Sequence, residues 1–402
     1  MSHSDSAAID AADVAALTAR LVRCRSVTPD EGGALALLER VLVPMGFEVH
    51  RPVFSTPGTP DVENLFAVRR RAGPHLTFAG HTDVVPPGSV DAWTLPPFEG
   101  QTREGLLYGR GAVDMKGGVA AFIAAVAERL ERGGIPGTVS LLVTGDEEGP
   151  AINGTVRLLD WARERGESFD AAIVGEPTSA EAVGDTIKIG RRGSLTGTLT
   201  VRGTQGHAAY PDKADNPVRG MTLMLDALLG APLDLGTAEF QPSNLEVTSV
   251  DVGNAATNVI PGEARATFNI RHNDRWTADT LKSEIDRRLR TAASGRTGLR
   301  DRPDPVRYDV DWREPPSPCF LTRDEALIGH LSKAVEAVTG RTPALSTGGG
   351  TSDARFIKDH CPVVELGVVG TTMHQVDERV PLAELDALRD IYSRFMAEWF
   401  GR

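Results

Sequence analysis

The sequence predicts an α/β fold in which a mixed-sheet domain is interrupted by a separate α+β domain of ferredoxin-like type. Three observations carry this expectation. Apolar strand-like runs end in acidic or histidine residues and lead into glycines and a helix, as at Leu106–Gly111, Asp114, Gly117-Gly118 and the alanine-rich run from Val119 to Leu130. Beyond Glu176 the texture changes to alternating, antiparallel-type strands with two helical stretches among them. Past Glu325 the first texture returns. A chain of 402 residues is also too long for one comfortable core.

The elements follow in order. Apolar spacing predicts helices over Asp13–Arg23 and Ala34–Val43 and strands at Phe47–Val49, Asn64–Val68 and His75–Gly80. The last of these runs directly into His81-Thr82-Asp83, and Pro86-Pro87 stops any continuation. Thr138–Val143 is a strand that enters Thr144-Gly145-Asp146-Glu147-Glu148-Gly149, and a helix covers Val156–Arg163. Ala171–Val174 leads to Gly175-Glu176-Pro177. Strands over Leu195–Gly203, Asn244–Val252 and Glu263–Arg271, with helices over Pro217–Leu229 and Thr277–Thr291, make up the inserted domain, and Gly206–Pro211 reads as a loop. A helix over Glu325–Thr339, the glycine-rich 348–350 stretch, a strand at Pro362–Gly367 and a closing helix over Leu382–Phe400 complete the chain. The domains fall at 1–192 with 306–402, and at 193–305.

Composition narrows the function classes. A net charge of −12 argues against a nucleic-acid surface and against anionic membranes. No stretch has the length of a membrane-spanning helix, and Met1–Asp5 lacks the basic and apolar regions of a secretory signal. Cys24, Cys319 and Cys361 are scattered, with neither a disulfide framework nor a CxxC metal site, so a reducing cytoplasm is expected.

The chemistry lies at the strand ends: His81, Asp83, Asp114, Glu147, Glu148, Glu176 and His374. An isolated acidic triplet is commonly a solvated turn, and a lone strand-end histidine is commonly structural. Together they suit zinc or a similar divalent ion, because imidazole and carboxylate are present without thiolate. Two metals bridged by one carboxylate need about five ligands. The set supplies them with two to spare, one to orient a ligating histidine and one to act as a general base. The Gly348-Gly349-Gly350 run lacks the Lys-Ser/Thr of a phosphate-binding loop.

Taken together, Gly80–Pro86, Gly109–Gly117, Thr144–Gly149, Gly175–Pro177 and Met373-His374 resemble the co-catalytic dizinc aminoacylase and carboxypeptidase-type amidohydrolases. That family includes succinyl-diaminopimelate desuccinylases, acetylornithine deacetylases and glutamate carboxypeptidases, and the resemblance covers essentially the whole chain. It implies that His81 and Glu176 bind one zinc, Glu148 and His374 the other, and that Asp114 bridges. It implies that Asp83 fixes the His81 imidazole and that Glu147 takes a proton from water and delivers it to the leaving amine. Two zinc ions per subunit are implied, with cobalt able to substitute, and a cis peptide is expected after Asp114.

Ile189–Ser194, Gly206–Pro211, Ala256–Pro261 and Gly348–Phe356 look most like the desuccinylase branch. The implied reaction is hydrolysis of N-succinyl-LL-diaminopimelate to succinate and LL-diaminopimelate. Acetylornithine or another N-acyl amino acid, or a dipeptide, is the alternative substrate. Arg191 can grip a substrate carboxylate bidentately, and Ser194, Asn258 and Thr351 supply neutral donors. Arg355 can serve too, or form a surface ion pair. Where some desuccinylases have Asn, four residues before the last histidine, this chain has Gly370, whose backbone N–H is left to donate. A homodimer formed through the inserted domain is expected, and the resemblance implies that His207 reaches the partner's active site when the domains close, where its imidazole N–H can donate to the oxyanion.

Overall fold

The computed structural model describes residues 10–294 and 305–401, so Met1–Asp5 lies outside the described residues. The chain forms two compact units. One comprises Met1–Ile189, Thr322–Ser346 and Ser352–Arg402; the other comprises Gly190–Leu321 and Thr347–Thr351.

The first unit is built on an eight-stranded mixed sheet in the order Glu48–His50, Leu65–Arg69, Thr138–Thr144, His75–His81, Ala171–Val174, Val363–Glu365, Thr186–Lys188, Ala344–Ser346. The four central strands, from Thr138–Thr144 to Val363–Glu365, run parallel. Every residue of His75–His81 and of Thr138–Thr144 is buried, which explains why both read as continuous apolar runs without alternation. Their carboxyl ends therefore lie side by side, where open α/β sheets place their chemistry.

Helices Gly117–Glu131 and Leu382–Trp399 contribute to one core with the sheet. Phe78 on the sheet stacks on Phe122 at 4.4 Å, and Tyr392 meets both rings edge-on. The first helix approaches so closely that a Cβ at Gly118 would stand 2.4 Å from the Gly175 carbonyl oxygen. Glycine is thus required where the helix after Asp114 touches the strand end before Glu176.

In the second unit, four antiparallel strands lie in the order Asn244–Asp251, Glu263–His272, Gly193–Arg202, Arg307–Trp312. Helices Pro217–Leu229 and Ala278–Ala293 join them in a separate core around Met224, Phe268, Ile270, Leu281 and Ile285. The chain order is strand, helix, strand, strand, helix, strand, which is the ferredoxin-like arrangement.

Two local features depart from the sequence expectation. Gly206-His207 is not all loop, because it pairs antiparallel with Val259-Ile260. Two residues are too few for alternation to register. Arg307–Trp312 forms an edge strand of the second unit's sheet and so lies beyond the 193–305 range read for the inserted domain, the second unit running to Leu321. Among the described residues, no helix is long and apolar enough to cross a membrane.

Candidate metal centre

The strand ends of the first unit bring together His81, Asp83, Asp114, Glu147, Glu148, Glu176 and His374. His81 closes its strand at 1% exposure, and its Nδ1 lies 2.9 Å from the backbone carbonyl of Asp83. That contact leaves Nε2 facing the cluster, the usual arrangement for a ligating histidine. The Asp83 carboxylate is 3.6 Å from the same Nδ1 and has other work. It accepts from Glu147 N at 3.3 Å, Glu148 N at 3.1 Å and the Thr28 hydroxyl at 2.7 Å. Asp83 therefore meets the imidazole through its carbonyl and shapes the acidic turn through its carboxylate.

Asp114 sits in the turn between strand and helix, and its peptide bond to Met115 is cis. Its Oδ1 lies 3.1 Å from His81 Nε2 and its Oδ2 lies 3.1 Å from His374 Nε2. His374 Nε2 is also 2.8 Å from Glu148 Oε1. Glu176 Oε1 and Glu147 Oε2 stand 3.8 and 4.0 Å from His81 Nε2. Ligand atoms of His81, Glu147 and Glu176 lie within 4.8 Å of one another, as do those of His81, Asp114 and Glu148.

Electrostatics show what this arrangement demands. Burial pushes Glu147 up to about 8, helped by the charges of Asp353, Asp114 and Glu148. Burial likewise raises Glu176, and it raises Asp83 to about 6. His374 is lifted to about 10 by its contacts with Asp114 and Glu148. Burial opposes a charge on His81, yet Asp114, Glu147 and Glu176 outweigh it and hold the imidazole well above its ordinary range. Burial also works against ionising Asp114, and its contacts with His374 and His81 prevail, so it is lowered. The cluster thus calls for positive charge at two places. Divalent ions would supply it, displacing the imidazole protons. The donor set fits: nitrogen and carboxylate oxygen, no thiolate, one carboxylate facing both histidines.

Five other predicted residues, Arg191, Ser194, His207, Asn258 and Thr351, belong to the second unit. Arg191 is 8% exposed and donates through Nη1 to the Gly350 carbonyl at 3.3 Å. The Ser194 hydroxyl accepts from Asn269 at 3.0 Å. His207 is exposed, and its Nδ1 accepts from Ala209 N at 3.0 Å, which leaves the proton of the neutral ring on Nε2. Asn258 is close by, since its carbonyl accepts from Ala208 N at 2.9 Å. Thr351 is half-buried. In the first unit, Gly370 N–H donates to the Ser179 carbonyl at 3.2 Å. It is therefore already engaged. Arg355 pairs with Asp353 at 3.9 Å.

Sequence reasoning gave no role to Glu378, Arg110 or Thr28. Glu378 is fully buried and accepts from Gly111 N at 3.0 Å, Val113 N at 2.8 Å and Asp114 N at 3.2 Å. Its only sequence signal is a charge close behind His374.

Parallel strand ends that converge on histidines and carboxylates define an α/β protein with a site suited to a pair of divalent ions. Residues 77–398 match the model of Peptidase family M20/M25/M40, and the chain belongs to that family. Among solved structures it is similar to a tripeptidase from Staphylococcus aureus, at 19% identity and TM-score 0.79, covering 98% of this chain and 100% of that one. It is similar to the aminopeptidase PepT from Bacillus cereus, at 22% identity and TM-score 0.77, with 98% and 100% covered. It is also similar to the YXEP protein of Bacillus subtilis, described as a dinuclear metal binding peptidase, at 16% identity and TM-score 0.66, with 96% and 99% covered. These likenesses concern the fold. Family membership makes the chain a hydrolase of the peptidase and amidohydrolase type.

Proposed function

We propose that the protein is a dizinc amidohydrolase that converts N-succinyl-LL-diaminopimelate to succinate and LL-diaminopimelate. The observation that carries the dinuclear reading is the Asp114 carboxylate, with one oxygen 3.1 Å from each of two histidines. In this reading His81 and Glu176 hold one ion, Glu148 and His374 the other, and Asp114 both. When bound, the ions polarise the amide carbonyl and make water acidic enough to ionise near neutral pH.

The chain's own residues do the rest. Glu147 takes the proton from the attacking water and returns it to the leaving amine. Glu147 and Glu176 lie at nearly the same distance from His81, so the choice of Glu147 as base rests on the family resemblance. The Glu148 carboxylate faces His374 instead.

Substrate choice rests on Arg191, Ser194, Asn258 and Thr351, with the guanidinium gripping a terminal carboxylate. One observation favours the second reading, another N-acyl amino acid or a dipeptide: Gly370, which stands where some desuccinylases have Asn, already donates its N–H to Ser179. The same proposal makes the protein a cytoplasmic homodimer joined through the second unit. Val218, Leu229 and Val250 there are exposed apolar residues that a second copy would cover. His207 would then donate its Nε2–H to the oxyanion in the partner's site.

A substrate panel tests the specificity. Zinc-loaded protein is given succinyl-, acetyl- and peptide-linked substrates and amine release is followed. Fastest release from N-succinyl-LL-diaminopimelate is expected, and faster release from an acetyl or peptide substrate would establish the second reading.

A further inference from the structure

We infer that Glu378 and Arg110 form a buried tether that positions two of the metal-site residues, Asp114 and His374. The inference rests on the metal-centre reading given under the proposed function. Glu378 is 0% exposed and Arg110 is 2% exposed, and Arg110 Nη1 donates to Glu378 Oε2 at 2.6 Å. The same carboxylate accepts the N–H groups of Gly111, Val113 and Asp114. It thus receives four donors, three of them from the turn that ends at Asp114. From the other side, Arg110 Nη2 reaches the His374 carbonyl at 3.3 Å. One ion pair therefore holds the turn of the shared carboxylate and the backbone of a histidine that faces it.

The backbone around these residues needs such support. His374 and Asp377 are non-glycine residues in the left-handed region, at φ 62° and 60°. That conformation persists only where surrounding contacts over-determine it. The contacts are present: Arg110 on the His374 carbonyl, Gly109 N on the Glu378 carbonyl at 2.9 Å, and Thr94 N and Oγ1 on the Asp377 carboxylate, each at 2.6 Å. The Arg110 guanidinium also lies over Trp93, 5.4 Å from the ring centre.

A buried ion pair is a poor device for stability alone, since apolar replacements of similar volume often do as well. Apolar side chains could not accept three backbone N–H groups, which would otherwise be buried without partners. The chemistry of the pair suits fixing a geometry. Glu378 touches none of the reacting atoms in this account and is a positioning residue.

The test is a metal titration of the full chain. Metal-free wild type and Glu378→Gln are titrated with zinc against a competing chelator, and the visible absorption of their cobalt-loaded forms is recorded. Leu331→Ala, a core change in the helix Glu325–Thr339, controls for general destabilisation. Glu378→Gln should weaken metal binding by about 10- to 100-fold and alter the cobalt spectrum. Leu331→Ala should do neither. Wild-type affinity and spectrum in Glu378→Gln, or an equal change in Leu331→Ala, would overturn the tether and leave the metal centre standing. A wild-type protein that takes up no divalent ion would overturn both. If Glu378→Gln does not fold, Arg110→Lys is read by the same criteria, because lysine lacks the two-nitrogen fork with which Arg110 reaches Glu378 through Nη1 and the His374 carbonyl through Nη2.

Discussion

Asp114 and His374, distant in sequence, meet at 3.1 Å through the carboxylate oxygen that His81 does not face. A carboxylate shared in this way is the one group whose loss should affect both ions. Asp114→Ala is therefore expected to lower metal content from two ions per chain to less than one, measured by elemental analysis after dialysis. Full retention of two ions would remove the bridging role.

Arg191 is assigned the acidic end of the substrate. Arg191→Ala should cost about 2–5 kcal/mol in kcat/KM with a dicarboxylic substrate, because a desolvated carboxylate loses its partner. A neutral N-acyl substrate should lose much less. Equal losses on the two would show that Arg191 serves structure through Gly350 and not specificity.

His207 is expected to act across a dimer. His207→Ala should keep its metal and its dimer and lose about 10²–10³ in kcat. Mixing it with Glu147→Gln subunits should restore about a quarter of wild-type activity after random exchange, since half of the dimers then carry one intact site. Verified heterodimers with no recovered activity would place His207 in its own subunit's chemistry or in none.

A pH effect is expected in the second unit. Asp234 accepts from Gly236 N, Ser243 N, Asn273 Nδ2 and Trp276 Nε1, and these contacts overcome burial to hold its carboxyl down at about 2. A depressed carboxyl stabilises the fold above its unfolded value near 4 and loses that contribution as pH falls through its folded value. The urea midpoint of Asp234→Asn should lie below wild type at pH 7 and 4, with the gap narrowing toward pH 2. A gap that widens on acidification would contradict the assignment.

Much of this was legible in the sequence. The fully buried parallel strands announce themselves as apolar runs, and the charge at their ends marks the edge where chemistry collects. Less legible was anything mediated by the backbone. Glu378 binds N–H groups, which every residue but proline carries, so no residue type signals its target. For the same reason nothing in the sequence says that Asp83 meets His81 through its backbone carbonyl, at 2.9 Å, and less closely through its carboxylate, at 3.6 Å. Arg307–Trp312 escaped notice because an edge strand with alternate residues exposed can carry Arg, Asp and Asp on its outer face.

The most direct test of the central claim is amine release from N-succinyl-LL-diaminopimelate as metal-free protein receives successive equivalents of zinc. The rate is expected to rise until two equivalents per chain and then level, and Glu147→Gln to bind the same two equivalents without release. Release from metal-free protein, or undiminished release by Glu147→Gln, would contradict it.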